Sequence, residues 1–203
     1  MALITLDNQT TPTTPSAGRS ALFPDSTTKK LVQVDDAGVQ HGILSRNTAT
    51  AAQGALATTE VYLTSSNLLI PSFGLPAGAV MVWHISVVKT AASTAAPIWT
   101  VRVGAAGAIG DTSRIAATST QAQTAVASDG TITATVSVRT AGASGILVLG
   151  GPCGPPGFGG GGSLASSAFD ISSAIGGQYI GLTVTTGTSA AWTVNGLSCY
   201  LIN

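Results

Sequence analysis

The sequence predicts an all-β protein: an N-terminal extended arm and small β-hairpin module, followed by an antiparallel, jelly-roll-like β-sandwich. Three observations carry this. Runs rich in Val, Ile, Thr and aromatic residues recur along most of the chain, separated by Gly, Pro, Ser and Thr, the spacing of short strands and turns. The run Thr131-Ile132-Thr133-Ala134-Thr135-Val136-Ser137-Val138 alternates hydroxyls with apolar groups, the pattern of an antiparallel strand with one wet face. No stretch reads as a convincing helix: residues 49–57 are Ala-rich and offer a turn or two, but Gly54 and several Thr weaken it.

The elements follow in order. Residues 1–16 form a Thr- and Pro-rich arm without a core pattern, which has no reason to fold alone. Next, Leu31, Val32 and Val34 make one short strand, Asp35-Asp36-Ala37-Gly38 supplies turn chemistry, and a strand resumes over 39–44. So small a hairpin cannot build its own core and must dock on something larger. Charge marks the same region. Eight of the sixteen charged residues fall in the first 46 positions, and the other eight are spread over the remaining 157. This suggests an arm and module over 1–46, a linker over 47–55 and the sandwich over 56–203.

Within the sandwich, strands are expected over 56–63, 79–90, 98–104, 131–140, 146–149, 178–186 and 191–202. The 80–88 run is apolar on both faces around Trp83, which places it centrally. In the last run Trp192 and Val194 share one phase and Leu197, Cys199 and Leu201 the other, so a bulge or tight turn belongs at Asn195-Gly196. Residues 90–97 and 150–163 are loops. The second, GGPCGPPGFGGGGS, is long enough for a tip or contact element, with Phe158 as its contact candidate.

Composition excludes several functions. Charged residues are 8% of the chain and the net charge is zero, with a pI of about 6.7, so the basic footprint of nucleic-acid binding is missing. Mean hydropathy is +0.42, and 61–88 carries no charged residue, yet Pro71, Pro76, Gly, Ser and Asn interrupt it. A bilayer-spanning helix needs about 20 predominantly apolar residues, and no run here qualifies. The N-terminus has neither a basic n-region nor a sufficient apolar h-region, so no signal peptide is expected and folding in a cytoplasm is. Two cysteines, Cys153 and Cys199, lack metal spacing. Cys199 is expected to pack as a small hydrophobe, Cys153 to sit in a loop, and a reducing cytoplasm argues against a bridge between them.

The chemistry-bearing candidates are sparse. His84 lies in a strand and His41 after a turn, both read as structural. Gly157-Phe158-Gly159-Gly160-Gly161-Gly162 matches GxGxxG by spelling, but it follows Pro155-Pro156 and opens no helix. Glu60 and the scattered Asp7, Asp25, Asp35, Asp36, Asp111, Asp129 and Asp170 show no clustering with aromatics of the kind a glycosidase cleft needs. No enzyme activity, catalytic residue, cofactor or metal is therefore expected. A neutral chain this poor in charge tends to associate, so an assembled state is expected.

The segment Pro15-Ser16-Ala17-Gly18-Arg19-Ser20-Ala21-Leu22-Phe23, followed by Lys30-Leu31-Val32-Gln33-Val34-Asp35-Asp36-Ala37-Gly38-Val39, resembles an N-terminal module of tailed-bacteriophage virion structural proteins. That pattern is a Thr/Pro arm, P-x-x-G-x-x-x-L-[FY], a polar turn, K-L-x-x-x-D-x-x-G and a short strand. The resemblance covers about 30 residues; the rest is similar only in texture to the jelly-roll heads of such proteins. It implies a virion protein made in the host cytoplasm, homotrimeric, serving as capsid decoration or cement or as a short head fibre. Pro15, Gly18, Leu22, Phe23, Leu31, Asp36 and Gly38 would shape a virion anchor contacting capsid or other virion proteins. The alternative is a receptor-binding tail fibre or tip adhesin touching a host receptor through the loop at Phe158. Neither nucleic acid nor membrane is an expected partner.

Overall fold

Alternating side-chain burial sorts the strands into two packed antiparallel sheets and a small third one. The computed structural model describes residue 8 and residues 13–56, 58–90, 95–119, 125–153, 164–187 and 192–203, the side chains of 43, 55 and 151–153 excepted. The strands in chain order are β1 (Ala21–Pro24), β2 (Leu31–Val34), β3 (Gln40–His41), β4 (Ile43–Ala49), β5 (Gln53–Leu56), β6 (Val61–Tyr62), β7 (Leu68–Leu69), β8 (Val80–Lys89), β9 (Ile98–Gly104), β10 (Thr112–Thr118), β11 (Ser128–Thr140), β12 (Ile146–Cys153), β13 (Leu164–Ala165), β14 (Tyr179–Thr185) and β15 (Trp192–Ile202). Among the described residues the helical content is one 3₁₀ turn, Ser173–Ile175. The chain is all-β, as the sequence predicts.

One sheet has the order β13-β12-β11-β8-β15-β4, with β5 also on β15; its partner runs β10-β9-β14-β6, with β7 also on β14. β8 is central in its sheet, pairing with β11 and β15 along its whole length, but only one of its faces is fully buried, since Ser86 and Val88 on the other are exposed. Its inward side chains Met81, Trp83, Ile85 and Val87 meet Trp99, Val101 and Val103 of β9 and Ile180, Leu182 and Val184 of β14 in one core. Trp99 and Trp192 pack at 6.1 Å between ring centroids, tilted by 57°, and the Trp83 indole donates to Ser66 O at 2.7 Å, so the large polar-tipped ring is buried with its donor satisfied. β11 buries Ile132, Ala134, Val136 and Val138 while its Thr and Ser side chains face outward. The phase change in β15 is a register shift between Val194 and Gly196.

Four stretches differ from expectation, one of them 56–63, which is not a single strand because β5 ends at Leu56 and β6 is only Val61–Tyr62. Residues 47–55, expected as a linker, are largely strand: β4 continues to Ala49 and β5 follows, both hydrogen-bonded to β15. Their polar sequence gives little strand signal, and the partner strand imposes the conformation. β10, which the sequence did not mark, covers the edge of β9 with Ile115 and Ala117 turned inward. Strand β12 also extends through residues 150–153, so the expected loop begins later.

The N-terminal module forms the third sheet, β1-β2-β3. It docks on the sandwich of its own chain. Phe23, Val32 and Val34 are buried in the common core, Phe23 meeting Phe73 edge-on at 6.5 Å. Gly42 and Asn203 exchange backbone hydrogen bonds of 2.8 and 3.2 Å, tying the module to the end of β15.

Candidate functional site

The β1–β2 register pairs Leu22 with Gln33 and Pro24 with Leu31. Because successive side chains alternate faces, Phe23 and Val32 point to the core while Leu22, Pro24, Leu31 and Gln33 share the outer face. Leu22 is 59% exposed and Leu31 54% exposed. The two leucines thus lie diagonally across the strand pair on one solvent-facing side of the hairpin.

The other predicted anchor residues build the frame behind this face. Gly18 at φ 75° and Gly38 at φ 80° take the left-handed conformation their turns require. The Gly18 N–H donates to Asp36 Oδ2 at 2.6 Å, fastening the entry of β1 to the β2–β3 turn, and Pro15 is half-buried beside it. Asp35 accepts from Ala37 and Val39 N–H groups and pairs with His41 Nε2 at 2.9 Å; the His41 hydrogen bond and these amides hold its carboxyl below the ordinary value. Thus Leu22 and Leu31 are presented together, Phe23 faces inward, and Pro15, Gly18, Asp36 and Gly38 shape turns. Phe158 and the Cys153 side chain lie outside the described residues.

Asp25, not singled out in the sequence, fixes the module on the sandwich. It is fully buried and its carboxylate accepts from the Thr27 and Thr28 amides at 3.1 and 2.6 Å and from the Ser72 amide and hydroxyl. Burial pushes its carboxyl up, and the hydrogen bonds outweigh that and hold it below the ordinary carboxylate value.

A second feature lies on the flank, where residues 60–65, 67 and 107–109 line an open cleft of about 470 Å³. Arg102 on β9 grips Glu60 through Nε and Nη2 at 2.9 and 2.7 Å and donates to Asp111 O at 2.6 Å. The bidentate guanidinium lowers the Glu60 carboxyl. Asp111 in turn accepts from the Ala106 and Ala108 amides, so the β9–β10 loop is held against the cleft. The Tyr62 ring lies over Gly181, where a Cβ would meet its hydroxyl at 1.7 Å.

Remaining candidates separate. His84 is on the outer face of the larger sheet, 3.3 Å from Thr133 Oγ1 and 5.9 Å from the Tyr200 ring. Cys199 is a buried thiol, pushed up to about 12 by burial. No group of three or more His, Cys, Asp or Glu side chains gathers at metal-binding distance among the described residues. No helix among them is long and apolar enough to cross a membrane.

The two ends of the sandwich differ. Lys89 pairs with Ser128 and Trp192, and Ile98 with Thr118 and Thr185, so these six strand ends gather opposite the module. Val88, Ile98 and Val126 are exposed there, and the buried Lys89 ammonium donates to the Thr90 and Val126 carbonyls at 3.0 and 2.9 Å.

No protein-family model and no curated protein matches the chain. Among solved structures it is similar to the CBM2 module of the evolved Dit of Lactobacillus casei BL23 phage J-1, with 12% identity, 63% of each chain covered and a TM-score of 0.32. The match therefore spans less than two thirds of that module. A lectin from Bauhinia forficata in complex with GalNAc is similar over 91% of this chain and 98% of the lectin, at 14% identity and a TM-score of 0.36. A legume lectin-like domain from Entamoeba histolytica matches at 8% identity over 76% of this chain and 89% of that one, with a TM-score of 0.25.

Proposed function

We propose that this chain is a non-enzymatic structural protein of a tailed-phage virion, a homotrimeric capsid decoration or short head fibre held by its N-terminal module. The observation that carries the reading is the outer face of the β1–β2 hairpin. It sets Leu22 and Leu31 in solvent together while the opposite face of the same strands is spent on the sandwich core. A hairpin used only to cap its own domain needs one apolar face; this one has two. The module also sits at one end of the sandwich, so attachment through it leaves the far end projecting. The Pro15 to Val39 motif supplies the phage context, and three such faces in one trimer strengthen attachment by avidity.

The test is the full-length L22K/L31K double variant, expressed during infection in place of the native protein. Both side chains are exposed, so the variant folds, as its melting temperature checks. Its incorporation into purified virions falls at least tenfold. Virions carrying the variant at the native level would refute attachment through this face. Imaging particles labelled at Asn203 then separates a head location from a tail location.

A further inference from the structure

We propose that the flank cleft between residues 60–67 and 107–109 binds a neutral saccharide. Its volume of about 470 Å³ lies in the range of small-molecule sites and has room for roughly one or two pyranose rings. Val61 and Ile109 give it an apolar wall, with Ile109 46% exposed, suited to the C–H face of a sugar ring. The one acid in the lining, Glu60, is neutralised by Arg102, so the cleft offers no net charge to a ligand.

Hydrogen-bonding capacity is left over where a polyhydroxylated ligand needs it. Asn67 accepts from Asn47 Nδ2 through both its backbone O and its Oδ1, at 3.1 and 2.9 Å, while its own Nδ2 donates to no described group. Gly107 at φ 60° brings the opposite loop so close that a Cβ would stand 3.0 Å from that Nδ2. Beside Asn67 lies Ser65, held at φ 59°, a conformation costly for a residue with a Cβ. Buried neighbours enforce it. Trp83 bonds to Ser66 O, the Ser66 hydroxyl bridges Leu182 N and O, and Cys199 Sγ reaches Ser65 O at 3.4 Å. Strain maintained by so many contacts, at a serine where glycine is the unstrained choice, points to use of the hydroxyl. Asn67 Nδ2 and Ser65 Oγ are thus the fixed polar contacts, and Ile109 is the wall.

The experiment is an amide chemical-shift titration of the full chain with a panel of neutral hexoses, N-acetylhexosamines and their disaccharides. Saturable shifts are expected within 60–67 and 107–109 for at least one sugar. N67D keeps the oxygen that Asn47 uses and removes the donors, and should weaken that affinity about tenfold, the worth of one to two hydrogen bonds. I109A, altering an exposed side chain, should weaken it several-fold without changing the fold. The proposal is overturned if no sugar shifts these amides, or if N67D and I109A both bind like the native chain. The L22K/L31K variant is expected to bind sugar normally, so this site and virion attachment fail or stand separately.

Discussion

At the scale of single residues, Asp25 shows how a short polar loop is made structural. Its carboxylate joins the β1–β2 turn to Ser72 of the sandwich with no exposure to water, and hydrogen bonds to an ionised acceptor are the stronger kind. Replacing it by Ala leaves the Thr27, Thr28 and Ser72 donors without their acceptor, and should cost about 2–4 kcal/mol, measured by denaturant unfolding. Its pH dependence has a definite sign. The folded carboxyl is held below the unfolded value, which is about 3.9, so its stabilisation is fully present above that pH. It is lost as pH falls through the folded value. The native chain should therefore lose melting temperature below about pH 4 more steeply than D25A; parallel curves would deny Asp25 this role. Ser65 gives an independent check in the opposite direction. S65G removes the penalty of a left-handed serine and should raise stability by about 1 kcal/mol, and a destabilised S65G would show that the turn is not strained.

At the scale of elements, the module depends on the sandwich through one buried face. Removing the Phe23 ring deletes its contact with Phe73 and opens a cavity under β1. F23A should release the module, with amides of 21–34 losing hydrogen-exchange protection while β8, β11 and β15 keep theirs. Equal loss across all of these strands would mean that module and sandwich unfold as one unit. This dependence was only partly legible in the sequence. The alternation in β11 and the phase change at Asn195-Gly196 were readable because inward and outward positions differ in polarity along one strand. The strand state of β4, by contrast, rests on pairing with β15. Arg46, Asn47 and Thr48 carry no local signal for it, which is why 47–55 read as a linker. The cleft was hidden for a related reason. Glu60 and Arg102 are 42 positions apart, and neither has a neighbour in sequence that announces the pair. The motif residues of the module were legible as a set, and alternation along β1 separates Leu22 from Phe23, but which of the two turns inward is decided by packing on the sandwich, where Phe23 meets Phe73.

At the scale of the whole molecule, the low charge and the polarity of the sandwich belong together. The outward positions of β11 from Thr131 to Ser137 are hydroxyls, so this face is wetted without charge. Eight charged residues in the last 157 leave little electrostatic repulsion to keep copies apart. Several of those charges are spent internally: Arg102 pairs with Glu60, Asp111 secures the β9–β10 loop, and Lys89 is buried. The far end adds exposed Val88, Ile98 and Val126. The proposed homotrimer would cover such surface, and because that surface is neutral, its association should be nearly insensitive to salt, unlike one held by ion pairs. Sedimentation equilibrium at micromolar concentration should give about 60 kDa, three times the 20.0 kDa chain, unchanged between low and high salt. The L22K/L31K variant should remain trimeric, since the proposed trimer interface lies on the sandwich and not on the altered face. A 20.0 kDa species under these conditions would remove the trimer. A trimer that dissociates with added salt would place the interface on the few exposed charges instead of the neutral sheet and its apolar end.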